Sequence, residues 1–142
     1  MLTKWGKTLD RSSILTEYPR PQFRRSNCVI LNGAWDYAIT ASSAQIPPER
    51  FDGTILVPFS PESELSGVGY TLKPNECIWY RRIIETPPGF DPNTEELMLH
   101  VGAADQFAEV RLNGLTLLHH AGGYLPFSAV MSEAFVPGIP NE

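Results

Sequence analysis

The sequence has few cysteines: Cys28 and Cys77 are the only two in 142 residues. They are not arranged as a CxxC motif, and no histidine flanks either of them. Such a pair gives little basis for a metal site, a disulfide or a thiol nucleophile. We therefore interpret both as small packing residues, the usual role of an unpaired cysteine.

The sequence also lacks a long apolar run and any block of one charge. No window approaches the roughly 20 apolar residues that span a bilayer, and residues 1–10 have no apolar core of a signal peptide. The net charge of −5 comes from 16 acidic and 11 basic residues spread along the chain. These absences argue against a membrane or a nucleic acid as partner. We expect a soluble chain, cytoplasmic rather than exported, without a cofactor.

Proline and glycine are plentiful, with 13 and 11 residues spread over the whole sequence. They divide it into short pieces, which favours short β-strands joined by turns over long helices. The length of 142 residues fits one domain with its own core. It is too short for an enzyme built on a (β/α)₈ barrel.

Residues 95–127 carry the clearest pattern in the sequence. Polar and apolar residues alternate through 96–101 and again through 108–112, the period of a half-buried strand. Asn113-Gly114 then favours a type I′ turn, which would fold residues 115–119 back on the preceding strand. This stretch therefore predicts a β-hairpin.

Similar patterns predict the remaining strands. A second hairpin would join residues 29–31 to 35–39 through Asn32-Gly33, and single strands follow at 54–57, 77–85 and 125–131. The total of seven or eight short strands predicts an all-β fold, an antiparallel β-sandwich. We expect one sandwich domain over residues 26–142, preceded by an extended arm over residues 1–25 that contains Tyr18-Pro19-Arg20-Pro21.

Five segments together resemble glycoside hydrolase family 2. They occur in the family's order along nearly the whole chain: LNGAWDY (31–37), VPF followed by PESELSG (57–59 and 61–67), WYRR (79–82), VRLNG (110–114) and GGYLPF (122–127). The chain is similar to the N-terminal jelly-roll, or sugar-binding, domain of β-galactosidase-like and β-glucuronidase-like enzymes. The resemblance therefore implies a jelly-roll β-sandwich.

The resemblance also implies that the chemistry lies elsewhere. Family 2 enzymes are retaining glycosidases, and their acid/base and nucleophile glutamates lie on a separate (β/α)₈ barrel. A retaining site needs two carboxyl groups about 5 Å apart around a sugar. Only Glu62 and Glu64 form a close pair here, and loop capping or solvation is their ordinary interpretation. We expect this chain alone to be non-catalytic.

The sequence departs from the family at three places. Cys28 stands where many members have tryptophan, and Gly122 stands where some β-galactosidases have a galactose-contacting aspartate. The sequence ends at Glu142, before the usual closing strand. We expect the neighbouring sheet edge to pair with a second copy of the chain, or to be partly covered by residues 1–10, because exposed edges recruit strands.

Several single residues are candidates for contact with carbohydrate. Glu62 and Glu64 lie in the long loop 58–74, and Tyr124 lies in a loop whose family counterpart approaches the barrel mouth; a structural turn tyrosine is the alternative for Tyr124. Trp5 could stack on a sugar or dock the arm, and docking is favoured. Asp105 is interpreted as a turn residue.

The two remaining candidate groups are the histidine pair and the arginine pair. His119 and His120 would point to opposite faces of a strand, so they are poor joint ligands for a metal. Of Arg81 and Arg82, one should be solvated and the other paired with a carboxylate.

The expected function is that of an accessory domain. It would support the catalytic barrel of a family 2 enzyme, and loops 58–72 and 121–124 would help to wall the pocket for carbohydrate. A free-standing carbohydrate-binding module and a protein-interaction domain are the alternatives. A binding module would require an exposed aromatic platform or a polar cleft within these residues alone.

Overall fold

Seven β-strands and three short 3₁₀ helices make up the described part of the chain, residues 2–17, 21–23 and 25–142 of the computed structural model. The strands are β1 Gly33–Ala41, β2 Gly53–Val57, β3 Glu76–Arg81, β4 Met98–Val101, β5 Phe107–Leu112, β6 Leu115–Ala121 and β7 Phe127–Val130. The 3₁₀ helices are Gly6–Thr8, Pro21–Phe23 and Glu64–Ser66. Every strand pairing is antiparallel. The predicted all-β, antiparallel class is confirmed.

The chain divides into two units, Met1–Arg82 and Ile83–Glu142. The predicted domain limits, 1–25 and 26–142, stay a prediction. Of the extended segment, Tyr18-Pro19-Arg20 lies outside the described residues. Among those that are described, no helix has the length and apolar character to cross a membrane.

The unit Met1–Arg82 is built on a three-stranded sheet in the order β2-β1-β3. β1 is central because its nine residues pair with β2 near its start and with β3 towards its end. Ala38 of β1 and Ile55 and Leu56 of β2 are buried. Arg81 of β3 donates from Nε and Nη2 to the Asp36 carboxylate at 3.0 and 2.7 Å. This pair ties β3 to β1, as the sequence predicts for one of the two arginines.

The predicted hairpin at Asn32-Gly33 is wrong. Gly33 has a φ of 116° and is the first residue of β1, where it pairs with Val57 across the sheet. Residues 29–32 form no strand. The partner that β1 needs comes from β2, twenty residues further on, so the glycine starts a strand and does not turn a hairpin.

Two packing predictions in the same unit are also wrong. Trp5 is 76% exposed, with the Lys4 ammonium 5.3 Å from its ring centroid, so it does not dock the arm. Ile14 is the arm residue that is buried, at 2% exposure. Cys28 is exposed, so it is not the packing residue that the sequence predicts. Cys77 is half-buried, with its sulfur 3.2 Å from Thr40 Oγ1.

The unit Ile83–Glu142 contains the predicted hairpin. β5 and β6 pair through Asn113-Gly114, whose φ angles of 50° and 82° are those of a type I′ turn. β4 pairs with β7. The core of this unit is formed by four buried residues, Leu112, Met131, Ala134 and Phe135. The strand predicted at 77–85 ends at Arg81, and Ile84 instead forms an isolated antiparallel bridge with Asn141.

Asn141 is completely buried and fully hydrogen-bonded. Its Oδ1 accepts from Asn113 Nδ2 and from the Val136 N–H, both at 2.7 Å. Its Nδ2 donates to the carbonyls of Val136 at 3.0 Å and Ile139 at 2.8 Å. One amide side chain therefore holds the hairpin turn and residues 136–141 together.

Pairing of a sheet edge with a second copy of the chain stays a prediction.

Replacing Asn141 should destabilise the chain strongly. Asn141→Ala leaves two N–H donors and two carbonyls without their partner, and we expect the free energy of unfolding to fall by about 2–4 kcal/mol. Urea unfolding followed by circular dichroism measures this loss. Asn75→Ala is the matched control, because Asn75 is exposed and contributes its backbone carbonyl to a hydrogen bond with Ser42. Equal unfolding midpoints for the two variants would contradict the role of Asn141.

Candidate functional site

The loop between β2 and β3 is organised around the hydroxyl group of Ser66. Ser66 is 1% exposed; its Oγ donates to the Ser63 carbonyl at 2.7 Å and accepts from the Val68 N–H at 3.0 Å. Ser63 caps the 3₁₀ helix Glu64–Ser66 by accepting from the Leu65 N–H at 3.2 Å. The loop therefore has a defined shape that side chains on its outer face do not need to maintain.

Glu62 and Glu64 lie on either side of Ser63, and both are exposed. Glu64 is the first residue of the 3₁₀ helix, and its carbonyl accepts from the Gly67 N–H at 3.3 Å. The charge of Glu62 interacts with the hydroxyl group of Tyr80. Burial in the first place, and the charge of Glu62 in the second, raise the pKa of the Tyr80 hydroxyl.

The same loop is fastened at its other end by Glu76. The hydroxyl of Tyr70 donates to both carboxylate oxygens of Glu76, at 3.1 and 3.0 Å, and the Lys73 N–H donates to one of them at 2.9 Å. The backbone bond from Lys73, with further contributions from Tyr70 and from the Lys73 charge, lowers the pKa of Glu76 below 4.5. Glu76 thus holds residues 70–73 as an ionised hydrogen-bond acceptor.

Tyr124 is 96% exposed in the loop between β6 and β7. This loop begins with the Gly122 N–H donating to the Gln106 carbonyl at 2.8 Å. Gly123 follows with its backbone against Asp105, so that a Cβ at this position would lie 2.8 Å from Asp105 Cγ. Asp105 thus lies against Gly123; the turn role predicted for it stays a prediction.

The histidines are arranged as predicted, on opposite faces of β6. His119 is exposed, whereas His120 is half-buried and stacks on Phe127 with ring centroids 4.1 Å apart. The Nε2–H of His120 donates to the Gly122 carbonyl at 2.9 Å. Within the described ranges, no group of three His, Cys, Asp or Glu side chains could hold a metal ion.

Two structural features were not predicted from the sequence. One is the Tyr70–Glu76 contact, since the irregular loop between them gives no periodicity that would predict it. The other is an open groove of about 360 Å³ on the hairpin, lined by Phe107, Ala108, Glu109, His119, His120 and Ala121. The hairpin itself was predictable, but its residue-by-residue register was not.

The candidate residues fall into two groups. Glu62 and Glu64 belong to the unit Met1–Arg82, and Tyr124 belongs to the unit Ile83–Glu142. Each loop therefore lies within its own unit. Both loops are closed by backbone hydrogen bonds and small residues, and both present exposed side chains that could contact a ligand.

Comparison with known proteins identifies the class. No family model matches the chain. It is 34% identical over 64 residues to a β-glucuronidase of Paenibacillus borealis, covering 45% of this chain and 10% of that protein. The chain thus spans about a tenth of the length of the curated relatives it matches.

Solved structures extend the likeness to most of the chain. A β-glucuronidase of Faecalibacterium prausnitzii shares the fold, with a TM-score of 0.62 at 23% identity over 88% of this chain and 21% of its own. The Bifidobacterium dentium β-glucuronidase solved with coumarin-3-O-glucuronide has a TM-score of 0.59 at 26% identity, over 78% of this chain and 18% of its own. The chain is thus a β-sandwich domain of a kind found within larger enzymes. As the sequence predicts, it is similar to one domain of the family 2 glycoside hydrolases. The relatives that it matches are β-glucuronidases.

The ionised Glu76 should make stability depend on pH. A carboxyl whose folded pKa lies below its unfolded value contributes its full stabilisation above the unfolded value, 4.5, and loses it as the pH falls through the folded pKa. As the pH falls from 6 to 3.5, the urea midpoint of unfolding should therefore decrease less in Glu76→Gln than in the unmodified chain. Glu49→Gln, at an exposed glutamate, is the control. An identical pH dependence in all three proteins would exclude this role for Glu76.

The close approach of Gly123 to Asp105 predicts a non-additive pair of substitutions. Gly123→Ala should lower the free energy of unfolding by about 1–3 kcal/mol, because the added methyl collides with the Asp105 side chain. Asp105→Ala removes Cγ and the carboxylate oxygens, so the double variant should recover most of that loss. Gly102→Ala is the control, since a Cβ there meets nothing within 4 Å. Additive effects in the double variant would contradict the contact.

Proposed function

We propose that the chain is the accessory, non-catalytic domain of a family 2 glycoside hydrolase that cleaves β-glucuronides. The observation that supports this most is the likeness, at 26% identity and over 78% of the chain, to the β-glucuronidase of Bifidobacterium dentium. The matched region is a small part of that enzyme, 18% of its length. In the curated and structural relatives this domain is part of one larger chain.

In this proposal the catalytic groups are supplied by a (β/α)₈ barrel. Retaining hydrolysis requires two carboxyl groups about 5 Å apart around the sugar. The closest acidic neighbours in the sequence of the loop, Glu62 and Glu64, are both exposed and flank the capping Ser63; only Glu64 belongs to the 3₁₀ helix. We therefore assign them contact with carbohydrate or with the barrel and not proton transfer.

Each loop would present side chains for contact with the barrel or with carbohydrate. Residues 58–72 present Glu62 and Glu64, and residues 121–124 present Tyr124, on backbones that are held by Ser66 and by the Gly122–Gln106 hydrogen bond. Exposed side chains on rigidly held loops suit ligand contact, because a ligand then does not have to order the loop. The proposed partners are thus the catalytic barrel and a carbohydrate.

A chimera tests this proposal. The chain would replace the matching region of the Bifidobacterium dentium enzyme, and hydrolysis of 4-nitrophenyl β-D-glucuronide would be measured. We expect an active chimera, no turnover by the 142-residue chain alone, and a lower kcat/KM, by roughly tenfold, in the Tyr124→Ala chimera. Ile46→Ala, at an exposed apolar residue of a different loop, is the control.

Three outcomes would overturn the proposal. The first is a chimera that is folded by size-exclusion chromatography and circular dichroism but inactive. The second is that the Tyr124→Ala, Glu62→Ala and Glu64→Ala chimeras are all as active as the Ile46→Ala control. The third is hydrolysis by the pure chain that Glu62→Gln abolishes.

A further inference from the structure

The hairpin groove is the open depression on β5 and β6 lined by Phe107, Ala108, Glu109, His119, His120 and Ala121. Its volume is about 360 Å³, and it is open to solvent. All of its lining residues belong to the unit Ile83–Glu142. It contains none of the three candidate residues Glu62, Glu64 and Tyr124.

A register shift between Val110 and Arg111 determines which residues of β6 lie opposite those of β5 in this groove. Near the turn, Leu112 pairs with Leu115 and Arg111 with Thr116, but beyond the shift Glu109 pairs with His119 and Phe107 with Ala121. An extra residue on β6 therefore brings His119 and Ala121 to the face that carries Glu109 and Phe107. Without the shift, Glu109 would face Leu118.

Phe107 provides an aromatic surface at one end of the groove. It is 80% exposed, and its cross-strand partner is the small Ala121. A large side chain opposite would cover the ring, whereas a methyl group leaves it accessible. The negatively polarised face of an aromatic ring attracts the positively polarised C–H groups of a sugar ring.

Glu109 provides a fixed hydrogen-bond acceptor beside that ring. Its Oε1 accepts from Arg111 Nε and from Thr116 Oγ1, both at 2.7 Å. These bonds, with that from Arg111 first, lower the pKa of Glu109, so the carboxylate is ionised at neutral pH. Both bonds are made to Oε1, which leaves the acceptor capacity of Oε2 for a ligand.

We propose that the hairpin groove is a binding site for a neutral pyranose. The sugar ring would stack on Phe107, and a hydroxyl group would donate to Glu109 Oε2. The exposed imidazole of His119, opposite Glu109, would contact a second hydroxyl. A uronic acid is disfavoured, because the ionised Glu109 has no proton to donate to a second carboxylate at Oε2.

The site goes beyond the proposed function, since it uses neither the side chains of residues 58–72, nor Tyr124, nor the barrel. It would give the enzyme a contact with the neutral sugars of a larger glycan, apart from the glucuronide that it is proposed to cleave. Binding at a second site increases the effective concentration of a linked substrate without any change in catalysis. The failure of this inference would leave the chimera test unaffected.

A titration of the full chain tests the site. Nitrogen-15 NMR would follow the amides of Phe107 and His119 during addition of cellobiose, a neutral β-linked disaccharide, or of methyl β-D-glucuronide. We expect saturable shifts with cellobiose and at most weaker ones with the glucuronide. Phe107→Ala and Phe107→Leu should each weaken cellobiose binding roughly tenfold, because both remove the ring. Glu109→Gln should reduce the difference in affinity between cellobiose and methyl β-D-glucuronide.

Phe23→Ala is the matched control, since Phe23 is a phenylalanine with 75% exposure outside the groove. It should leave cellobiose binding unchanged. The site is excluded if cellobiose gives no saturable shift, if both Phe107 variants keep the unmodified affinity, or if Phe23→Ala weakens binding as much as they do. Tighter binding of methyl β-D-glucuronide than of cellobiose would overturn the neutral ligand class. Thermal unfolding confirms that each variant is folded.

Discussion

Two buried polar side chains stabilise irregular segments that the short strands do not hold in place. A two-stranded pair has little stability alone, and β4 with β7 and β5 with β6 are such pairs. Among the described residues, the buried polar side chains are Ser66 and Asn141, one in each unit. Each satisfies backbone groups of segments that have no ladder partner. The large cost of an unpaired buried polar group makes these contacts hard to replace.

The fold could be predicted where a local signal agrees with the pairing over longer distance. Asn113-Gly114 is followed by residues that alternate in phase with those before it, and the hairpin forms. Asn32-Gly33 is the same dipeptide, but the nine residues of β1 find partners on both sides, in β2 and β3. Turn chemistry alone does not decide between a turn and the start of a strand. The distant partners do, and they cannot be derived from a local pattern.

The candidate site could be predicted only in part for the same reason. Long loops identify Glu62, Glu64 and Tyr124 as exposed candidates, and the structure confirms that exposure. The hairpin groove depends on one register shift, which exchanges the residues of β6 that face Phe107 and Glu109. An ideal hairpin drawn from the turn would have placed His120 opposite Phe107. Sequence periodicity carries no signal for a single extra residue in one strand.

The side chains that hold the two loops are different from those that we propose to contact a ligand. The loop 58–74 is shaped by Ser63, Ser66 and Glu76, whose bonds do not involve the Glu62 side chain. The loop 121–127 is fixed by the Gly122–Gln106 bond and by the stacking of His120 on Phe127, while Tyr124 remains exposed. Residues with no part in holding a loop can change without loss of the fold. A domain built this way can keep its scaffold while its exposed loop side chains change.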